Sequence, residues 1–364
     1  MKNYDQKVTF TCVTYNRWRM LYNLLRSFVE ANKYENYEWI ILEHDTSDGT
    51  TRFLKALESN SVAGLEPLKG KVKVVYESQD DYLSFLESKG FSFESTENRD
   101  KNQKIAFSYF GKLRNQVRKI AQGDYFIDLP DDHQFIYKGN WVGELLDIFE
   151  DRKEKVGKDD IGTLIFRTML VYRILKENNQ TFPMETTSSG TDYFVVKQKS
   201  YDDWGAISRE NFELMGGYPQ LENATEEEVK KYWLNDKCLF HHEYMMDKTK
   251  SLGLKKIMKK VPIMHDMLDD KYNKKTITAQ AAYPLLPIAP KREAILEMMN
   301  LLGIGSKDYK RIMSIREFEL FFNDTVGSSS APLHTILKNR AKAEAIDDDS
   351  DPYLFEEIYR KYSK

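Results

Sequence analysis

Residues 8–17 read Val-Thr-Phe-Thr-Cys-Val-Thr-Tyr-Asn-Arg, and this stretch decides the fold class. The run over residues 8–13 is apolar or β-branched throughout, which predicts a short buried strand. The residues that follow carry apolar side chains at helical spacing, at Met20, Leu21, Leu24, Leu25 and Phe28. A strand that leads directly into a helix is the repeating unit of α/β folds, so a parallel sheet is expected.

The same alternation continues along the chain. Residues 39–42, 72–76 and 125–129 are further apolar runs of strand length, and residues 106–120 have apolar side chains at helical spacing. Together these patterns predict an α/β fold with a mostly parallel sheet flanked by helices. Ligands of such sheets bind at the carboxyl ends of the strands. Polar clusters follow three of the predicted strands, so a functional site is expected at that edge.

The amino-acid composition limits which kinds of molecule this protein is expected to bind and where it is expected to be located. The chain has 54 Lys and Arg against 57 Asp and Glu, a net charge of -3, so it lacks the basic field of a nucleic-acid-binding protein. Its two cysteines, Cys12 and Cys238, are too few for a disulfide framework or a zinc cluster. Residues 1–7 lack the apolar core of a signal peptide, and no apolar run reaches the length of a membrane span. These features predict a cytoplasmic location.

The character of the sequence changes near residue 270. Pro284, Pro287 and Pro290 interrupt the chain, and helix-start signals follow at Ser314 and Asp351. We therefore expect a domain over residues 1–270 and a helical region over residues 271–364. The apolar faces of these helices need a partner, which is the first domain or a second copy of the chain in a homo-oligomer.

Three polar clusters carry the predicted chemistry. In the first, a helix N-terminus and Arg17 favour an anion such as a diphosphate, although Thr14 or Asn16 could simply cap the helix. In the second, Glu43 can accept a hydrogen bond from a base or a ribose, and the alternative is a polar turn. In the third, the adjacent carboxylates of Asp131 and Asp132 repel each other unless a cation lies between them, which indicates a divalent metal rather than a solvated turn.

The order of these motifs resembles the inverting family-2 glycosyltransferases, which have the GT-A fold. The motifs are Thr-Tyr-Asn-Arg at 14–17, Asp-Gly-Thr at 48–50, Arg-Asn at 114–115, Gly-Asp-Tyr at 123–125 and the acidic turn at 131–133. Residues 208–218, which end in Met-Gly-Gly-Tyr, look like the acceptor-side segment of that family. The resemblance covers residues 7–266 of the 364. It implies transfer of a sugar from a nucleotide-diphosphate sugar to a hydroxyl group, with inversion.

The resemblance also implies site residues. The residues implied to bind the donor are Thr14, Tyr15, Asn16, Arg17, Glu43, Asp45, Lys112, Arg114, Asn115 and Asp131. The residues implied to bind the acceptor are Trp204, Gly205 and Ala206. The metal ligands would be Asp132, His133 and His265, with Mn²⁺ or Mg²⁺ as the cofactor. A UDP-sugar is the expected donor, and the acceptor is a glycan, a lipid-linked glycan or another molecule with a hydroxyl group.

Some positions depart from the family pattern. Pro130 replaces the first acid of the Asp-x-Asp motif, and Glu43-His44 replaces the common pair of aspartates. The family's catalytic base lies on a helix before a glycine, which here predicts Glu243, with His242 as the second candidate. A carboxylate at this position can take a hydroxyl proton as the sugar bond forms. The alternative is an ordinary polar helix face.

Two other classes of protein remain open. A metal-dependent hydrolase could use the same acidic and histidine side chains, and a non-catalytic sugar-binding protein could keep the fold without them. A zinc protease is disfavoured, because residues 242–246 lack the second histidine of the H-E-x-x-H motif. A P-loop is absent, and Gly303-Ile304-Gly305 is a poor dinucleotide-binding fingerprint.

Overall fold

The centre of the protein is a twisted sheet with helices on both faces. The computed structural model describes residues 4–14, 18–44, 50–78, 84, 88, 111–131, 133–135, 137, 139–166, 182–196, 205–235, 241–261 and 263–266. The described strands are β1 (Val8–Thr14), β2 (Tyr37–His44), β3 (Val72–Glu77), β4 (Tyr125–Asp128), β5 (His133–Phe135), β6 (Ile161–Ile165), β7 (Met184–Thr186), β8 (Asp192–Val196), β9 (Ala206–Ser208), β10 (Lys255–Lys259) and β11 (Met264–Asp266).

Within the described residues, helices connect β1 to β2, β2 to β3, β3 to β4, β5 to β6 and β9 to β10. The described helices are α1 (Trp18–Ala31), α2 (Thr50–Glu58), α3 (residues 111–120), α4 (Trp141–Val156), α5 (Arg209–Leu214), α6 (Glu226–Glu228) and α7 (His241–Ser251). A 3₁₀ turn lies at Glu66–Leu68, and another at Leu221–Asn223. Helix α6 continues into a π-helical turn over Val229–Trp233.

Nine strands form the main sheet, in the order β3-β2-β1-β4-β9-β6-β10-β8-β7. Parallel pairing joins β3, β2, β1 and β4 into one half of the sheet, and β6 and β10 pair in parallel in the other half. Among the described strands of this main sheet, only β8 and β9 run against the others. The predicted α/β fold with a mostly parallel sheet is therefore confirmed.

The sheet separates two hydrophobic layers, because successive side chains of a strand point to opposite faces. In β2, Trp39 and Ile41 pack into the layer below α1, α2 and α4, whereas Ile40 and Leu42 pack into the layer below α3, α5 and α7. In α1 the apolar side chains of Leu21, Leu24, Leu25 and Phe28 are fully buried, which is the spacing that the sequence predicts. Burial of both faces explains why β1 is buried at every position.

A two-stranded ribbon lies beyond the end of β4. Strands β5 and β11 pair antiparallel, with Phe135 opposite Met264 and His133 opposite Asp266. Nearby, α4 begins at Asn140, whose side chain accepts a hydrogen bond from the Gly143 N–H, and ends at Gly157 with a φ of 80°. A side chain disfavours that left-handed backbone, so glycine suits this helix end.

The predicted strands over residues 8–13, 39–42, 72–76 and 125–129 correspond to β1 to β4, and residues 111–120 of the predicted helix form α3. The predicted helical region over residues 271–364 lies outside the described residues, and so does its boundary with the first domain. No helix of the described part of the chain is both long enough and apolar enough to cross a bilayer.

Candidate functional site

The carboxyl ends of β1, β2 and β4 meet at one edge of the sheet. The parallel register places Thr14 opposite Glu43 and places Thr11 opposite Asp128. Asp131 follows β4 by one short turn. The polar residues Thr14, Glu43 and Asp131, which the sequence places after separate strands, therefore lie at the same edge, as expected for a parallel sheet.

Thr14 and Asp131 are directly linked across this edge. The Thr14 hydroxyl donates to Asp131 Oδ2 at 2.9 Å, and the two residues are only 1% and 4% exposed. The hydroxyl fixes the direction of a carboxylate that would otherwise rotate. A buried carboxylate is costly unless it is hydrogen-bonded or faces a cation, and this bond supplies Asp131 with one such partner.

Glu43 is a second buried carboxylate at the same edge. It is 4% exposed at the end of β2, and Thr51 in α2 donates to its Oε1 at 3.1 Å. The negative potential extends to β3, where burial and the carboxylates of Glu58 and Glu43 raise the pKa of Tyr76 well above its ordinary value. A hydrogen-bond donor of a ligand, such as a base N–H or a ribose hydroxyl, would complement this region.

Cationic side chains come from the neighbouring helix α3. Lys112 Nζ lies 3.4 Å from Glu77 Oε1 at the end of β3, and Gln116 donates to the same oxygen at 3.2 Å. Arg114 is 5% exposed, and its guanidinium carbon lies 5.0 Å from the centre of the Tyr218 ring. Asn115 is 8% exposed and bonds to the backbone of Tyr218. Helix α3 therefore links the predicted donor-binding residues to the segment after α5.

The structure adds functional candidates that the sequence did not reveal. Asp128, the last residue of β4, is 2% exposed and accepts hydrogen bonds from Thr11, Arg118 and Tyr218. Two signals point to this group in retrospect: an acid interrupts the apolar run of β4, and Arg118 follows Arg114 by one helical turn. Arg118, Tyr218 and Thr11 are 10, 90 and 117 residues from Asp128, so local spacing could not pair them.

The predicted catalytic base lies at the start of α7. Glu243 is partly buried in the first turn of this helix, which begins with His241 and His242. Further along α7, Asp247 accepts from the Tyr232 hydroxyl at 2.7 Å and pairs with Lys231 at 2.8 Å. Burial opposes ionisation of Asp247, but these bonds hold the pKa of its carboxyl below the usual range. They anchor α7 on the π-helical turn.

The predicted acceptor-binding residues Gly205 and Ala206 lie within the sheet. Ala206 is fully buried in β9, and a Cβ atom on Gly205 would lie 2.6 Å from Thr163 Oγ1. Close packing against β6 therefore requires glycine at this position. Because Gly205 has no side chain and the side chain of Ala206 is buried, these two residues could contact a ligand only through backbone groups.

Two of the predicted metal ligands, His133 and His265, lie on the ribbon. His133 is 4% exposed in β5, and His265 lies opposite Gln134 in β11. Next to this ribbon, Asp131 supplies a carboxylate that Thr14 holds in place, and hard cations prefer such oxygen ligands. Within the described residues alone, no three acidic, histidine or cysteine side chains converge on one point.

The remaining predicted site residues lie outside the described residues. These are Tyr15, Asn16, Arg17, Asp45, Asp132 and Trp204. Their predicted roles follow from the sequence alone.

No protein-family model and no curated protein matches this chain. Among solved structures it is similar to S. aureus TarS, with 13% identity over 98% of this chain and 55% of that one, and a TM-score of 0.38. The chain thus spans about half the length of that TarS chain. TarS 1-349 in complex with UDP-GlcNAc shares 13% identity over 98% of this chain and 90% of that one, with a TM-score of 0.40. The mannosyltransferase PcManGT from Pyrobaculum calidifontis, in complex with GDP-Man and Mn²⁺, shares 12% identity over 99% and 84%, with a TM-score of 0.41.

Proposed function

We propose that this protein is a glycosyltransferase that moves a sugar from a nucleotide-diphosphate sugar to a hydroxyl acceptor with inversion. The observation that carries the proposal is the edge of the sheet where Thr14 holds Asp131 beside Glu43, with Arg114 on the adjoining helix. Such an edge offers a carboxylate for a base or ribose, a cation for phosphate and a carboxylate for a metal. A nucleotide-diphosphate sugar needs all three.

Different side chains of this edge would bind different parts of the donor. Arg17, Lys112 and Arg114 would bind the diphosphate, since guanidinium and ammonium groups complement phosphate oxygens. Glu43 and Asp45 would accept hydrogen bonds from the base and the ribose. UDP is the nucleotide that the family resemblance favours.

A divalent cation fits the acidic turn, where Asp131 and Asp132 would hold it together with His133 and His265. When bound, Mn²⁺ or Mg²⁺ neutralises the charge of the diphosphate as the sugar bond breaks. Asp131 keeps its carboxylate in one orientation through the hydroxyl of Thr14.

Glu243 is the proposed catalytic base. Its carboxylate would take the proton of the acceptor hydroxyl while the oxygen attacks the anomeric carbon from the face opposite the departing diphosphate. One displacement of this kind inverts the configuration at that carbon. His242 is the alternative base, and the acceptor is a glycan, a lipid-linked glycan or another hydroxyl compound.

Asp132→Asn tests the proposal. We expect nucleotide-sugars, UDP-sugars first, to raise the melting temperature of the wild-type protein with Mn²⁺, because a ligand that binds only the folded state stabilises it. The variant should lose this shift and retain its fold. Asp124→Asn is the matched control, since Asp124 lies at the opposite end of β4 and bonds to the Lys7 N–H.

Two results would contradict the assignment. If the nucleotide-sugar raised the melting temperature equally in EDTA, or in Asp132→Asn, donor binding would not depend on the metal. If the protein hydrolyses nucleotide-sugars rapidly, and an added acceptor neither raises the rate nor receives the sugar, the result would favour the hydrolase. If the protein binds the donor without any turnover, the result would favour the sugar-binding protein.

A further inference from the structure

One face of α3 is packed against the turn that follows α5. A Cβ atom on Gly111 would lie 2.7 Å from the Pro219 carbonyl oxygen, and one on Gly217 would lie 2.7 Å from Asn115 Oδ1. Gly217 also has a φ of 78°, which disfavours any side chain. Two glycines therefore allow the backbone of this turn to approach α3 closely.

Asn115 fixes the backbone of Tyr218 in this contact. Its Nδ2 donates to the Tyr218 carbonyl oxygen at 2.9 Å, and its Oδ1 accepts from the Tyr218 N–H, also at 2.9 Å. The amide oxygen and nitrogen of Asn115 are both used, so this side chain orients Tyr218. The paired bonds leave the Tyr218 backbone little freedom to rotate.

The hydroxyl of Tyr218 is fixed as well. It donates to Asp128 Oδ2 at 2.7 Å, where the carboxylate also pairs with Arg118. The guanidinium of Arg118 lies 3.8 Å from the centre of the Phe212 ring, which shields this ion pair from water. Tyr218, Asp128 and Arg118 are each less than 5% exposed. The plane of the Tyr218 ring is therefore set from both ends of the residue.

Arg114 lies over this ring. Its guanidinium carbon is 5.0 Å from the ring centre, within the range of about 6 Å over which a cation is attracted to an aromatic face. A guanidinium stays charged at any physiological pH, and its position determines where an anion can bind. Gly111, Arg114, Asn115 and Arg118 follow one another at helical spacing, so one face of α3 makes all of these contacts.

We propose that Tyr218 is a positioning residue for donor binding. Its ring holds the guanidinium of Arg114 in the direction of the diphosphate of a nucleotide donor, and the two bonds from Asn115 hold the backbone that carries the ring. This inference rests on the proposed function. It couples the acceptor-side turn, through Tyr218, to the donor-side helix α3.

The test measures binding of UDP and GDP with Mn²⁺ by titration calorimetry, alongside the melting temperature. Tyr218→Leu removes the ring and should weaken nucleoside diphosphate binding about tenfold, whereas Tyr218→Phe keeps the ring and should bind within about threefold of wild type. In an Arg114→Ala background, Tyr218→Leu should cause no further loss of affinity although it still lowers the melting temperature, because the residue acts through Arg114.

Tyr125→Leu is the matched control. Tyr125 lies on the other face of the sheet, with its ring 4.7 Å from that of Phe149, so its loss should lower stability and leave nucleotide affinity unchanged. If the wild-type protein binds neither nucleotide, the proposed function fails and this inference fails with it. If it binds and the Tyr218 and Arg114 effects are additive, or if Tyr218→Phe loses as much affinity as Tyr218→Leu, the positioning role alone is overturned. The Phe variant keeps the ring, so an affinity loss of about tenfold in Tyr218→Phe overturns the role even if Tyr218→Leu does not fold.

Discussion

Glu144 and Lys259 form an ion pair that is almost completely removed from water. Lys259 Nζ lies 3.0 Å from Glu144 Oε2, and the two side chains are 2% and 5% exposed. The Tyr137 hydroxyl donates to the other carboxylate oxygen at 2.7 Å, and Lys259 also donates to the Val261 carbonyl at 2.9 Å. The pair therefore joins the start of α4 to the chain that leads into β11.

We expect Lys259→Met to lower the free energy of unfolding by about 3–5 kcal/mol, because it leaves the Glu144 carboxylate buried without its cation. The double variant Lys259→Met with Glu144→Leu should lose less than the sum of the single variants, since no charge then remains buried. Urea unfolding measures both. A loss below about 1 kcal/mol in the single variant would mean that water reaches the carboxylate.

The variant Glu243→Gln tests whether the Glu243 carboxylate takes the proton of the acceptor hydroxyl. The amide keeps the shape of the side chain but cannot accept the acceptor's proton, so transfer should fall at least about 10²-fold while donor affinity is retained. Rates of sugar transfer and donor titrations measure the two quantities separately. Loss of transfer in His242→Ala, together with an active Glu243→Gln, would assign the base to the histidine.

At the scale of elements, the N-terminus of α4 depends on one side chain. Asn140 Oδ1 accepts from the Gly143 N–H at 3.2 Å, which satisfies a backbone donor that the helix itself leaves unpaired. We expect Asn140→Ala to reduce the free energy of unfolding by about 1 kcal/mol, and Asn140→Asp to retain the stability. Chemical denaturation compares the two variants. If both variants lost the same free energy of unfolding, the amide nitrogen of Asn140, rather than its capping oxygen, would be the group that stabilises the helix.

Elements with a strong local pattern could be predicted from the sequence, and those fixed by distant contacts could not. β1 to β4 are runs of apolar and β-branched residues, and their carboxyl ends meet because they are parallel, which is why Thr14, Glu43 and Asp131 were found. β9 has only three residues, and its place between β4 and β6 depends on pairing with strands far away in the chain.

At the scale of the whole molecule, several carboxylates make stability depend on pH. Burial opposes ionisation of Glu38, Glu185 and Glu228, but hydrogen bonds and lysines or arginines outweigh it and hold the pKa of each below the ordinary 4.5. Asp247 behaves in the same way. Burial instead raises the pKa of Asp159, so this one group acts in the opposite direction.

A lowered pKa in the folded state means that the unfolded chain binds protons more readily. This stabilisation is therefore fully present above the unfolded value near 4.5 and is lost as the pH falls through the folded values. We expect the free energy of unfolding to decline steadily below about pH 4.5, as measured by urea unfolding between about pH 3 and pH 6. Glu185→Gln should flatten part of this decline. A stability that stays constant over the range would contradict the assignment.

The short strand β9 has a consequence for the order in which the protein forms as it leaves the ribosome. β4 pairs with β1 on one side and with β9 on the other, yet β9 follows it by about 80 residues, which take roughly 4–16 seconds to synthesise. During that interval β4 is an edge strand, whose outer N–H and C=O groups can pair with other nascent chains. The interval between the synthesis of Asp128 and that of Ala206 is therefore the period in which this edge of the nascent sheet is open to pairing with other chains.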